Sequence, residues 1–209
     1  MHYYTPSEFV AASTMEGGVH WLKADGTDVT VTVPEDAPRR RYGMHGSLDG
    51  TITVEGHGDG HAIRRGDGRG SALRLGRGYG DAHRYGDGYG HAIRGGRGDG
   101  NAHRYGDGYG HAIRGGYGDG HAVRGGHGDG SGVRDNHGDG NAHRYGNGYG
   151  HAIQSGRGYG DAIRDSHGDG HGVRGGAGIG SAYRDGSGIG SAIRWGDDAG
   201  SALTEEEEK

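Results

Sequence analysis

HRYGDGYGHAIRGGRGDG, from His83 to Gly100, returns as HRYGDGYGHAIRGGYGDG from His103 to Gly120, twenty residues on and changed only at Arg97, which becomes Tyr117. Each copy holds a shorter unit of ten, x-G-x-G-x-A-x-R-x-G, as in DGYGHAIRGG at 87–96. Gly stands at 60, 70 and every tenth position to 200. Ala stands at 62, 72 and onward, giving way only to Gly132 and Gly172, and Arg stands from 64 to 194, giving way only to Gln154. Self-similarity at a fixed short period is the mark of a solenoid.

The small residues alternate, and a period of two belongs to β-strands. In YGDGYGHAIR the glycines and the alanine share one side and the variable residues the other. A Gly/Ala face lets two sheets approach closely, so the pattern predicts an all-β repeat: a thin, Gly/Ala-cored β-solenoid. Gly66 to Gly196, at the sixth place, yields only to Asn136 and Ser166. Asn tolerates left-handed backbone, which puts the corner there and predicts strands of about seven residues and turns of about three. Ten residues close a loop poorly, so a unit is half a coil and twenty residues make a full one. The columns agree. Leu73, Ile93, Ile113, Val133, Ile153, Val173 and Ile193 form an aliphatic column, whereas the other half-coil reads Ile, His, His, Val, His, Ile, Tyr from 63 to 183. Residues 56–203 then form about seven coils, roughly 35 Å long.

Composition alone points elsewhere. With 54 Gly in 209 residues, 29% hydrophobic residues and one Phe, such a chain ordinarily stays disordered, because it cannot offset its conformational entropy by apolar burial. Collagen requires Gly at every third position and is excluded. There is no Cys, hence no disulfide or thiol chemistry. No apolar run reaches the roughly 18–20 residues that span a membrane. MHYYTPSEFVAAST lacks the basic and apolar regions of a secretory signal, which leads to the expectation of cytoplasmic synthesis. The net charge is −5, and Arg and Asp nearly cancel within the repeat, unlike a polyanion-binding domain.

Outside the repeat, residues 1–42 read as a small α+β cap. Thr5-Pro6-Ser7-Glu8 fits a capping box, with a helix expected through Met15 and ended by Gly17-Gly18. GVHWLKADGTDVTVTV reads as a hairpin turning at Asp25-Gly26. PRRRYG at 38–43 reads as a linker, 43–55 as linker or first strand, and 204–209 as an acidic tail.

Several constellations carry chemistry on paper. GGRGDGNAH at 95–103 resembles the calcium-binding nonapeptide of RTX-type β-rolls, which implies calcium as a cofactor. The likeness covers the Gly-Gly-Arg-Gly opening. Asp99 sits one place early, the period is ten instead of nine, and Tyr79, Tyr89 and Tyr109 replace the Asp in other units. IRGGRG, IRGGYG and VRGGHG resemble RGG boxes of RNA-binding proteins, although the one-for-one Asp opposes phosphate. RGD at 65–67 and 97–99 follows from the same repeat arithmetic. Thirteen of the 16 His fall in the repeat. They could assemble a zinc or triad constellation, but a periodic surface offers no unique sheltered site, and the reading is not an enzyme. Each Arg of the column either caps turn carbonyls, pairs with a neighbouring Asp, or belongs to a row that binds a ligand.

The GDGYGHAIR style of 56–203 resembles glycine-rich tandem repeats encoded by bacteriophages of actinobacteria and by their hosts. That resemblance implies a viral structural or host-interaction protein, virion-associated. The residues lead to a non-catalytic recognition module whose binding row is Tyr85, Tyr105 and Tyr145 beside His83, His103 and His143, flanked by Arg84, Arg104 and Arg144. Repetition suits a repetitive glycan or protein target. The aliphatic column lies on an outer face and is the expected self-association surface. The competing readings are a structural spacer or self-assembling scaffold and an RGG-like nucleic-acid-binding segment.

Overall fold

The computed structural model describes residues 1–165, 167–187, 189–196 and 200–204, so the corner position Ser166 and the tail beyond Thr204 lie outside it. The chain winds as a β-solenoid of about nine turns with a small N-terminal cap. Thr5 caps the single described helix, α1 (Pro6–Ala12): its Oγ1 accepts the Glu8 N–H at 3.3 Å, and the Glu8 carboxylate accepts the Thr5 N–H at 2.8 Å.

The helix ends three residues before the expected Met15. Thr14–Glu16 is instead strand β2, following β1 (His2–Tyr4), and pairs antiparallel with β3 (Val19–Lys23) around Gly17 and Gly18, both at positive φ. The Gly pair turns a hairpin instead of stopping the helix.

The expected hairpin over 19–33 does not form. β3 and β4 (Val29–Val33) belong to different sheets, and the Ala24–Asp28 stretch between them is a solenoid corner, where the Asp25 carboxylate accepts the Thr27 N–H at 2.9 Å. β3 pairs in parallel with β5 (Arg40–His45), and β4 with β6 (Ile52–Gly56). Residues 19–45, expected as cap strands and linker, therefore wind as the first coils, and the cap is α1 with the β2–β3 hairpin. Alternating VTVTV specifies a buried face but no partner. These opening coils are longer: Trp21 stands opposite Gly43 and Val31 opposite Val54, before the spacing settles at twenty with Tyr42 opposite Ala62.

From β7 (Gly60–Arg65), β8 (Ala72–Arg74) and β9 (Ala82–Tyr85) to β20 (Ala192–Arg194) and β21 (Ala202–Thr204), successive strands alternate between two sheets. A ten-stranded sheet holds β1, β4 and the even strands after it; an eleven-stranded sheet holds β2, β3 and the odd ones. The twenty-residue coil stands, with Ala92 opposite Ala112 and His83 opposite His103. The strands of the repeat are three to six residues, shorter than seven, because the turns are longer.

The interior changes along the axis. Phe9, Val31, Val33, Tyr42, Met44, Ile52 and Val54 form a conventional apolar core at the N-terminal end. In register, Tyr42 gives way to Ala62, Met44 to Arg64 and Val54 to Arg74. Beyond that point the interior is Ala and Arg, and twelve Arg side chains from Arg64 to Arg184 are fully buried. The core is thus not Gly/Ala alone. Positions two apart on a strand share a face, so an Arg two residues after an inward Ala also points inward.

Most glycines answer a different demand from the sheet-to-sheet contact expected of them. At Gly90, φ is 154° and a Cβ would lie 2.0 Å from the Gly70 carbonyl oxygen, one coil back. The tenth-place Gly therefore lets turns stack on turns, in a backbone region that side chains avoid. Sheet-to-sheet approach is tightest at Gly132 and Gly172, where a Cβ would meet the His143 and Tyr183 carbonyl oxygens at 2.2 Å, which explains both departures from Ala. No described helix is long and apolar enough to cross a membrane.

Candidate functional site

Three outward rows run along the eleven-stranded sheet. The first begins Arg41, His61, Asp81, Asn101, His121; the second Trp21, Gly43, Ile63, His83, His103; the third Lys23, His45, Arg65, Tyr85, Tyr105, Gly125.

The first row is a hydrogen-bond ladder. Asp81 accepts the Asn101 N–H at 2.8 Å, Asn101 the His121 N–H at 2.9 Å, and His121, through Nδ1, the Asn141 N–H at 3.0 Å. The same device runs along the ten-stranded sheet, where Ser71 accepts from His91, His91 from His111 and His111 from Ser131. The position is filled by Thr, Ser, Asn, Asp and His because each is short and carries an acceptor, which satisfies a main-chain N–H that the sheet leaves over. Turn aspartates do likewise: Asp99 Oδ1 accepts the Asp119 N–H and Asp139 Oδ1 the Tyr159 N–H.

The Arg column resolves onto the turn carbonyls. Arg104 Nε donates to the Gly90 carbonyl at 3.1 Å and Nη2 to that of Gly88 at 2.8 Å, and Nη1 reaches Tyr105. Burial, then Arg104 and Arg144, pull the Arg124 pKa down to about 9, still protonated at neutral pH. Arg84, Arg104 and Arg144 are fully buried, so they are not part of an exposed binding row.

The remaining predicted row is broken. Tyr85 and Tyr105 stack at 5.9 Å and 11°, with His83 and His103 edge to face beside them at 5.1 Å. Tyr105 then leans over Gly125, where a Cβ would sit 2.8 Å from its ring. Tyr145 lies beyond Gly125, stacked on His143 at 5.5 Å. The three-Tyr row is thus a pair and a single. The aliphatic column is continuous in register on the outer side of the ten-stranded sheet, half-buried from Leu73 through Ile93, Ile113, Val133 and Ile153 to Val173 and exposed at Ile193.

Sequence reasoning missed a non-periodic feature at the N-terminal end of the Tyr/His rows. The Trp21 indole folds across Gly43, where a Cβ would come within 2.5 Å of it, and Arg65 lies 5.0 Å over the ring. Beside it, Asp81 Oδ2 lies 3.1 Å from His61 Nδ1 and 3.6 Å from His83 Nε2. His61 Nε2 lies 3.2 Å from Arg39 Nη2, and His83 Nδ1 lies 3.2 Å from the Tyr85 hydroxyl. Burial pushes the Asp81 carboxyl up, but hydrogen bonds from His61, His83 and the Asn101 main chain outweigh it and hold the group well below the carboxylate range.

Two His and an Asp with ligand atoms within 4.8 Å of one another have the composition of a metal site. The outer partner argues against that use. A His that ligates through Nδ1 keeps its proton on Nε2 and gives it to an acceptor; Arg39 can only donate. His61 Nδ1 also lies 3.2 Å from the Asp81 main-chain N–H, the ladder contact made by His121, so it faces both that donor and the Asp81 carboxylate. The available signal was in the sequence outside the repeat: Trp21 and the RRR run at 39–41. No protein-family model matches this chain, and neither curated proteins nor solved structures include a match.

Proposed function

We propose that the protein is a non-catalytic recognition module: a stiff solenoid presenting the Tyr/His side of its eleven-stranded sheet to a repetitive surface such as a cell-envelope glycan. The observation that carries this reading is the parallel stack of Tyr85 on Tyr105 at 5.9 Å, with His83 and His103 alongside. Neighbouring aromatic rings on a rigid sheet offer stacking faces at little entropic cost. The ladder side chains are committed to main-chain partners, which supports binding over catalysis. Burial of twelve Arg leaves Asp prominent at the turns, which weighs against phosphate backbones as the target. The resemblance to phage-encoded repeats fits an envelope target. On the other sheet, the aliphatic stripe from Leu73 to Ile193 is proposed as the contact face for a second copy.

A structural spacer is the second reading, favoured by the same ladders, whose acceptors serve the stacking of coils. Replacing Tyr85, Tyr105 and Tyr145 with Ala together separates the two. Recognition on this side requires a loss of at least about tenfold in retention on immobilised envelope polysaccharides; parental retention of the triple variant on every polysaccharide leaves the spacer.

A further inference from the structure

Two adjoining hollows occupy the head of the Tyr/His rows. One, of about 610 Å³, is lined by His20, Arg39, Arg40, Arg41, His61 and Asp81. The other, of about 350 Å³, shares Arg41, His61 and Asp81 and continues to Arg65, His83 and Tyr85. The second hollow therefore opens onto the first ring of the Tyr85–Tyr105 stack.

Charge in this place is out of keeping with the rest of the chain. Four Arg converge on it in a protein of net charge −5. Asp81 is the single carboxylate among the described lining residues, and its oxygens are taken by Asn101, His61 and His83. Arg39 is turned to His61 and Arg65 to Trp21. The Arg40 and Arg41 guanidinium groups have no hydrogen bond or ion pair among the described residues, whereas the repeat arginines are bonded to turn carbonyls. The unmet groups are guanidinium forks, whose natural complement is an oxyanion.

We infer that these hollows bind an acidic saccharide, its carboxylate held by Arg41, which lines both, with Arg40 adding charge at the rim of the first, and its next ring placed toward Tyr85. The inference rests on the recognition reading above and gives it a ligand class. Arg41 lines both hollows, so one guanidinium joins the anion end to the aromatic end. The binding weakens with added salt, because the arginines at the mouth are solvent-facing.

Titration calorimetry of the full chain with trigalacturonate, a neutral trisaccharide and inorganic phosphate tests it. Trigalacturonate is expected to bind at least about tenfold more tightly than the neutral sugar, and to lose that margin in Arg40→Gln/Arg41→Gln. The single variant Arg41→Gln, at an exposed position, gives the same direction should the double variant fold poorly. Phosphate binding as tightly as trigalacturonate, and lost in the same variants, would overturn the saccharide assignment. Trigalacturonate binding unchanged in both Arg variants but lost on Tyr85→Ala/Tyr105→Ala would overturn the Arg site and leave the recognition reading standing. No trigalacturonate binding to the parent overturns the acidic-saccharide assignment, and retention on envelope polysaccharides still decides the recognition reading.

Discussion

His111 accepts the main-chain N–H of Ser131 through Nδ1 at 3.0 Å, while its own main-chain N–H donates to Nδ1 of His91 at 3.1 Å. The two rings stack at 5.3 Å with 1° between their planes. Both imidazoles must keep Nδ1 unprotonated, with the proton on Nε2; a proton on Nδ1 would face a donor with a donor.

Acid should therefore loosen the solenoid. Burial lowers the pKa of His91, His111, His121, His143 and His151 below 6.5, and takes His103 to about 4. With folded values below the unfolded one, their contribution is full above about pH 6.5 and is lost as pH falls from there toward the folded values. The Tm is expected to hold from pH 8 to 7 and then to fall by at least about 5 °C by pH 5. His91→Asn/His111→Asn keeps an acceptor of the kind found at Asn101, and should reduce the acid loss while leaving the Tm at pH 8 near the parent's. An unaltered acid slope in that variant would count against the ladder.

Arg104→Met should cost about 3 kcal/mol, since the carbonyls of Gly88 and Gly90 lose their donor inside the coil. Gln154 offers the reciprocal test. Its amide has no partner and it stands in register between Arg134 and Arg174. Gln154→Arg is expected to gain about 1 kcal/mol, held down by the like charges on either side. Urea unfolding reads both, and equal midpoints for Arg104→Met and the parent would remove the carbonyl-capping role.

Adjacent glycines should respond in opposite ways. A Cβ at Gly115 meets nothing closer than 3.7 Å, whereas at Gly116, with φ at 100°, it would lie 2.0 Å from the Gly96 carbonyl oxygen. Gly115→Ala should be neutral or stabilising by up to about 1 kcal/mol. Gly116→Ala should cost about 3 kcal/mol or more. Similar thermal shifts for the two would mean that turn stacking does not select glycine.

The proposed contact between copies predicts a smaller species for Ile93→Thr/Ile113→Thr/Ile153→Thr by light scattering. An unchanged mass would remove this stripe from any interface.

The repeat's architecture was legible because it needs only counting: period two for strands, ten for half-coils, twenty for coils. The inward Arg was legible too, since Ala92 and Arg94 share parity, but a long charged side chain reads as surface until the turn carbonyls that hold it are in view. The opening coils were hidden because Tyr42, Met44 and Val54 stand where Ala and Arg stand later, and Asp25-Gly26 imitates a hairpin turn. Trp21, Arg41, His61 and Asp81 come from successive coils and form no motif along the chain, so only the winding brings them together.

Since each strand neighbours the one two elements away, the chain's size and the identity of its faces are tied by parity. Gain or loss of twenty residues, as between the near-identical stretches at 83 and 103, changes the rod by one step of about 4.8 Å and keeps every row aligned. A change of ten would join the Ile93 row to the His83 row and scramble both faces from that point on. A gene carrying such copies can vary the reach of its product by duplication or loss of whole coils, with inheritance acting on length while the surface chemistry stays in register.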